Sequence, residues 1–335
     1  MKRIFFTVSN APGTVYRIKS FQEKGYEVVA GDANPNAIGR HFADIFYVLP
    51  YQATPEYVDF LLEIINKEKI DILVADEAES LLLHGNKTKI ESLGCTLVAT
   101  DINTLNKSLD KIILFNFLKE NTDIPLPGFF EVNSVDDFDV GLSKLGNENI
   151  CIKPAKASGS RGFVILTQQP MEAKTLFSKK MGFFEIAIDQ FRKIISASPN
   201  IPKLIMMEYL QDINYDSNMV CKNGNILFQS VKTRGEAKIG TITQGQIVEN
   251  DEIKLINIKI AKALGTTGLV SPQFIGNKLI EINPRWSTSL NYKSINEYLF
   301  GVQVFTGEKI NIDPDDYRDY VGLKMTRYWD VITYK

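Results

Sequence analysis

The sequence predicts a two-part molecule: an α/β half built on a parallel sheet, followed by a mixed α+β half. Three observations carry this. From residue 3 to about 100, short apolar runs alternate with amphipathic stretches, the pattern of strands joined by crossover helices. From about 129 onward strands dominate, with helical stretches only near 171–196 and 251–264. Between the halves, Ile124-Pro125-Leu126-Pro127-Gly128 is a punctuated stop.

Taken in order, residues 1–8 place Lys2 and Arg3 before about five apolar residues. That run is too short for a signal h-region or a bilayer span, and it reads as a buried first strand. Residues 27–30, 71–75 and 95–99 read as the next strands. Val58, Leu61, Leu62 and Ile65 fall at i, i+3, i+4 and i+7, and Thr54-Pro55 supplies an N-cap with proline at the first helical position. Parallel sheets bind ligands at the carboxyl ends of their strands, which singles out the loops 9–13, 32–35 and 76–79. Leu105, Leu109, Ile112, Ile113 and Phe117 define a further helix. In the second half, residues 149–155, 162–167, 203–207, 218–221, 226–231, 269–275 and 278–282 read as strands. Ser198-Pro199-Asn200-Ile201-Pro202 is the expected hinge between lobes. Residues 320–325 and 327–334 look like two aromatic-rich strands that complete a sheet or form a homodimer surface.

The chain has 335 residues, enough for two domains or three smaller lobes, and its 44% hydrophobic and 23% charged residues are those of a globular protein with a large core. A net charge of −2 gives no global field for a polyanion, and no basic block is visible, so neither a nucleic-acid surface nor a membrane surface is expected. Cys95, Cys151 and Cys221 form neither a disulfide framework nor a zinc pattern, which fits a reducing cytoplasm. His41 and His84 have no Ser or Cys tied to them by spacing, so a triad is unsupported and both read as structural.

Three segments carry chemistry. Lys153-Pro154-Ala155-Lys156-Ala157-Ser158-Gly159-Ser160-Arg161-Gly162 is a small-residue loop with cations on both sides. Gly and Ser let backbone N–H groups approach phosphate oxygens while Lys153 and Arg161 neutralise charge. It is not a Walker loop, because Gly-Lys-[Ser/Thr] is absent. Leu204-Ile205-Met206-Met207-Glu208-Tyr209-Leu210 is an apolar strand ending in a carboxylate, able to present backbone groups to an adenine edge with Glu208 accepting from the exocyclic amine. Glu281 and Asn283, two apart on a strand, share a face, and oxygen ligands suit magnesium, which takes few protein ligands. Whether Gln273 joins them depends on the turn between the strands. A two-residue turn at Gly276-Asn277 sets Gln273 opposite Ile280, on the wrong face, whereas a three-residue turn sets it opposite Glu281. A Gln273 ligand therefore predicts the three-residue turn.

Together these residues resemble the ATP-grasp superfamily, most closely its carbamoyl-phosphate-synthase-large-subunit-like branch. The resemblance covers roughly residues 1–300 in the family's order: Asp110-Lys111, Lys153-Pro154, the Ser-Gly-Ser-Arg-Gly loop, Glu208-Tyr209-Leu210, Gln273, and Glu281-Ile282-Asn283-Pro284-Arg285. It implies a Rossmann-like pre-ATP-grasp domain over 1–103, then a two-lobed ATP-grasp fold. The small lobe with its glycine-loop lid would span 104–200, and the large lobe with the metal-binding strands and tail 201–335.

By that resemblance Lys111 and Lys153 contact ATP phosphates, and Ser158, Gly159, Ser160, Arg161 and Gly162 close over them. Glu208, Tyr209 and Leu210 hold adenine, and Asn214 stands where many relatives carry a ribose-binding acid. Gln273, Glu281 and Asn283 hold one or two Mg²⁺ (or Mn²⁺), and Arg285 faces the γ-phosphate, with Lys232 and Arg234 near it. The pre-ATP-grasp domain usually binds no dinucleotide, and although Asp32 stands where NAD proteins place a ribose-binding acid, the first loop lacks Gly-x-Gly-x-x-Gly. Asn10, Asp76 and Glu77 are better candidates for the acceptor substrate, the carboxylates suiting an ammonium; helix N-capping by Asp76 or Glu77 is the alternative. The implied activity is an ATP-dependent carboxylate-amine or carboxylate-thiol ligase working through an acyl phosphate on small-molecule substrates. A small-molecule kinase and a non-catalytic nucleotide-binding module are the alternatives.

Overall fold

The structure is a computed structural model that describes residues 1–335 except 12, 147, 158, 160, 171, 173, 175–183, 239–240, 287–296, 309–318, 329 and 335, and the side chains of 237, 238 and 241. Two compact units are formed: one from 1–106, 214–273 and 282–335, the other from 107–213 and 274–281.

The first unit begins with a five-stranded parallel sheet: β1 (Arg3–Phe6), β2 (Glu27–Asp32), β3 (Ile45–Val48), β4 (Ile72–Val74) and β5 (Thr96–Val98), in the order β3-β2-β1-β4-β5. Alternation decides what each face buries. Phe5, Val29, Leu73 and Leu97 join Tyr57, Leu61, Ile64 and Ile65 of the helix Tyr57–Glu68 in one core. Ile4, Phe6, Val28, Ala30 and Val74 face the other way, into a core shared with Val220, Phe228, Ile247, Leu269, Trp286 and Phe300. The helix Tyr57–Glu68 starts three residues after Thr54 and carries no side-chain cap, so the expected Thr54 cap does not form; the Thr54 hydroxyl instead donates to Tyr51 O.

The second unit holds β6 (Phe129–Val132), β7 (Ile150–Pro154), β8 (Val164–Thr167), β9 (Phe184–Ala187) and β10 (Leu204–Glu208), ordered β6-β10-β7-β8-β9. Its core is built from Val132, Ile150, Ile152, Leu166, Leu204 and Met206 with Phe138 and Ile195 from the helices Val135–Leu145 and Ile188–Ala197. Residues 198–202 lie inside this unit, since β10 pairs with both β6 and β7, so the chain does not change unit at the expected hinge. The single helix expected over 105–117 is two, Ile102–Ser108 and Lys111–Asn121, because Asp110 caps the second: its carboxylate accepts from the N–H groups of Ile112 and Ile113.

The chain then returns to the first unit with β11 (Asn214–Lys222), β12 (Asn225–Arg234), the short pair β13 (Ala237–Lys238) and β14 (Thr241–Ile242), β15 (Gln244–Val248) and β16 (Gly268–Ile275); the end of β16 and most of β17 (Lys278–Asn283), over 274–281, belong to the second unit, and β18 (Lys324–Thr326) is again in the first. Apart from β13 and β14 these form one sheet, β17-β16-β11-β12-β15-β18. β11 and β12 are joined by Asn223-Gly224, both at positive φ, the two-residue turn that matches strand twist. Among the described residues of 320–334, Lys324–Thr326 is the one strand, and none of 327–334 pairs as one. No helix of the described residues is long and apolar enough to cross a membrane.

Candidate functional site

In the second unit, Lys111, Lys153 and Glu281 come together. Lys111 is 5% exposed. Its ammonium donates to Ala157 O at 2.7 Å and lies 3.8 Å from Glu281 Oε2. Lys153, near the end of β7, is held below the usual lysine range by burial, with Lys111 adding to that shift and Glu281 opposing it. Two ammonium groups thus share one carboxylate, an arrangement that retains positive charge for an anion.

The loop after β7 turns at Gly159 and Gly162, with φ of 66° and 70°. A Cβ at Gly162 would stand 2.8 Å from Pro154 Cδ, so only glycine lets the loop fold back on its strand. Arg161 is exposed there, while Ser158 and Ser160 lie outside the described residues.

At the end of β10 the Glu208 carboxylate is engaged: Lys278 Nζ donates to it at 2.6 Å and Gly128 N–H at 3.4 Å, and the Lys278 hydrogen bond holds Glu208 below the usual carboxylate range. It is therefore not the open acceptor for an exocyclic amine that the sequence suggests. Tyr209 N–H is taken by Asn149 O at 2.6 Å. Glu208, Tyr209, Leu210, Asn149, Gly276 and Lys278 are among the residues lining a cavity of about 380 Å³ in this unit.

β16 ends at Ile275 and β17 begins at Lys278, leaving Gly276-Asn277 as a two-residue turn with Gly276 at φ 58°. The turn is fixed by Gly276 N–H on Ile213 O at 2.9 Å and Leu279 N–H on Pro125 O at 3.1 Å. A regular ladder continued from this turn sets Gln273 opposite Ile280, so the three-residue turn required for a Gln273 ligand is not found. Glu281 and Asn283 keep their shared side of β17.

In the first unit the three predicted site cations, Lys232, Arg234 and Arg285, are each matched by an acid. Lys232, 1% exposed, is bonded to Glu297, which also accepts from Ser230 and from Asn218 at 3.1 Å. Arg234 bonds to Asp216 at 3.2 Å, and Arg285 Nε lies 3.3 Å from Glu77 Oε2. Lys232 is thus a buried partner of the helix Glu297–Thr306 rather than a cation on a solvated strand face. Asn214 is exposed at the start of β11, paired across the ladder with Arg234. Asn10 is exposed and accepts from Ile38 N–H; Asp32 accepts from the N–H groups of Ser9 and Asn34.

Neither Asp76 nor Glu77 caps a helix: the next one, Ser80–Gly85, has Glu79 at its N-cap and no side-chain cap. The sequence reading missed Glu79, Lys278, Asp216 and Glu297, and also Arg17, which is 7% exposed and stacked 4.4 Å over the Phe6 ring. Glu79 lies in the singled-out 76–79 loop and Lys278 in the strand of Glu281, but the partners Thr7 and Tyr57 of Glu79 and Glu208 of Lys278, like Arg234 of Asp216 and Lys232 of Glu297, come from other segments. His84 bonds to Thr100 O, and His41 stacks on Tyr334. The cysteines are free and buried, and burial pushes their thiols up, Cys95 and Cys221 to about 12, so they are not poised as nucleophiles.

Residues 11–98 match the family model described as PylC-like, N-terminal domain. The carbamoyl phosphate synthase large chain of Methanothrix thermoacetophila is 26% identical over 287 residues, which cover 81% of this chain and 25% of that one. Among solved structures, N5-carboxyaminoimidazole synthetase from Staphylococcus aureus complexed with ADP matches with a TM-score of 0.66 and 16% identity, over 92% of this chain and 78% of that one. The biotin carboxylase domain dimer of Hydrogenobacter thermophilus 2-oxoglutarate carboxylase, in complex with MgADP, ADP and bicarbonate, matches with a TM-score of 0.66 and 13% identity, over 94% and 72% of the two chains. These likenesses agree with an ATP-grasp fold, the fold that the sequence motifs resemble. The sequence likeness runs to the large chain of carbamoyl phosphate synthase, of which this chain spans about a quarter of the length.

Proposed function

We propose that the protein is an ATP-dependent ligase that joins a small-molecule carboxylate to an amine through an acyl phosphate. The observation that carries this reading is the convergence of Lys111 and Lys153 on Glu281 beneath a glycine-turn loop. The pairing suits a triphosphate and one divalent ion better than it suits a solvated surface.

Glu281 and Asn283 would hold the metal, Mg²⁺ or Mn²⁺. Their donor chemistry fits: Glu281 is partly exposed beside the lysines, and Asn283 gives its amide N–H to Ser271 O at 3.4 Å, which leaves its carbonyl oxygen as a hard donor. When bound, the ion would neutralise charge on the phosphoryl oxygens. Lys153 and Arg161 would bind those oxygens too, and Lys111 would do so while tying the loop through Ala157. Closure of the loop would keep water from the acyl phosphate. With the Glu208 carboxylate engaged by Lys278 and its N–H by Gly128 O, the adenine edge would fall to the Glu208 carbonyl oxygen and the backbone of Leu210. Arg285, Asp76, Glu77 and Asn10 of the first unit would serve the acceptor.

The reaction asks little covalent work of the protein. A carboxylate oxygen attacks the γ-phosphorus with departure of ADP, and the amine then displaces phosphate to leave an amide, releasing a proton. Purified protein with Mg²⁺-ATP and paired carboxylate and amine panels should release phosphate only when both acceptors are present, and an amide product separates this from a kinase. Glu281→Ala should lower turnover by about a hundredfold or more, and retention within about tenfold would sink the metal assignment.

A further inference from the structure

The first unit contains a buried carboxyl that the proposed chemistry does not use. Glu79 is 1% exposed and accepts from three elements at once. Oε1 takes the Thr7 hydroxyl at the end of β1 and, at 2.9 Å, the N–H of Asp76; Oε2 takes the hydroxyl of Tyr57, the first residue of its helix. The Ser80 hydroxyl donates to Asp76 O at 2.6 Å, closing the same loop a second time. Between these ties sits Glu77, 3.3 Å from the Arg285 guanidinium, and Thr7 leads directly into the 9–13 loop that carries Asn10.

We infer that Glu79 is a positioning residue: its carboxylate holds the Asp76-Glu77 loop, and with it the Arg285 side chain, in the form that receives the acceptor. The inference rests on the ligase reading for its word acceptor, but not for the loop itself.

The chemistry of the three donors makes the hold depend on ionisation. An ionised carboxylate is acceptor-only and satisfies all three. A proton on either oxygen conflicts with one of them, and because the Asp76 N–H cannot rotate, a hydroxyl must turn away. The groups facing Glu79 are the Tyr57 and Thr7 hydroxyls and, on its own loop, the Asp76 carboxylate. Burial raises the Glu79 carboxyl to about 7, the Asp76 charge adds to the rise, and the hydrogen bonds oppose it. The turned hydroxyl can accept the new proton, but the charge-assisted bonds, including the one from the Asp76 N–H, become weaker neutral ones, so protonation near neutrality loosens the loop.

The test compares the full-length protein with Glu79→Gln, which keeps the shape and removes the charge, and Tyr57→Phe, which deletes one donor. In the wild type the acceptor KM should rise by about tenfold from pH 8 to pH 6 while the KM for ATP stays within about twofold. Glu79→Gln should show the raised acceptor KM at both pH values, and Tyr57→Phe an intermediate rise. Amide hydrogen exchange across 76–80, read without any substrate, gives an independent arm. At pH 8 the wild type should be protected relative to Glu79→Gln, and at pH 6 the two should match. Equal exchange at both pH values overturns the inference whatever the activity. If no pair of acceptors yields product but the exchange difference holds, the ligase reading fails and the hold on the loop stands. Wild-type acceptor KM and pH profile in Glu79→Gln overturns the positioning role.

Discussion

Two groups of cations, one in each unit, treat charge in opposite ways. In the second, Lys111 and Lys153 share a single carboxylate, Glu281, and burial lowers the affinity of Lys153 for its proton. In the first, Lys232, Arg234 and Arg285 each have an acid: Glu297, Asp216 and Glu77. The sharing leaves positive charge that a polyanion can complete, whereas the matching leaves a rigid, near-neutral lattice that positions neighbouring groups. Cations that look alike in sequence thus differ in what they are free to do. Among the site cations Lys111, Lys153, Arg161, Lys232, Arg234 and Arg285, Lys232 is the one least able to meet a phosphate.

The largest effect that could break this comparison is on stability. Glu297→Ala would take from the buried Lys232 the carboxylate it is bonded to, and urea unfolding should show a loss of about 3–5 kcal/mol. Replacing both partners, Lys232→Met with Glu297→Leu, should recover most of it. If Glu297→Ala unfolds like the wild type, Lys232 is not held as a lattice member and its phosphate role reopens.

A somewhat smaller effect concerns Glu79. Its carboxyl is raised from 4.5 to about 7 in the folded protein, so the folded state binds the proton more tightly than the unfolded one. The stability this contributes is fully present below about pH 4.5 and is lost as pH rises through about 7, amounting to about 3 kcal/mol. Unfolding free energies of wild type and Glu79→Gln, compared at pH 5 and pH 8, should diverge by that amount, with the wild type relatively weaker at pH 8. A constant difference would place Glu79 outside the titrating range. The form that orders the loop is the less stable one, as functional sites often are.

How far the sequence reveals this depends on where each residue finds its partner. The strands around Phe5, Val29 and Leu73 are legible because period and burial agree locally, and Lys111, Lys153 and Glu281 are legible because chemistry and order coincide. β3 and β15 escape notice: Ile45–Val48 is short and only partly covered, and Gln244–Val248 begins with polar residues. The split at Asp110 hides because apolar spacing runs through it, while the deciding event is a cap. Lys278 and Glu297 are ordinary charges until Glu208 and Lys232 arrive from 70 and 65 positions away. The turn at Gly276-Asn277 shows the limit most sharply, since one residue of register decides whether Gln273 shares a face with Glu281.

In the proposed reaction a carboxylate oxygen attacks the γ-phosphorus and leaves with the phosphate. With the acceptor pair found by phosphate release, the carboxylate is supplied labelled with ¹⁸O and the phosphate analysed by mass spectrometry. One ¹⁸O per phosphate, formed only with the amine and ATP present, is the predicted result; amide formed with unlabelled phosphate would contradict it.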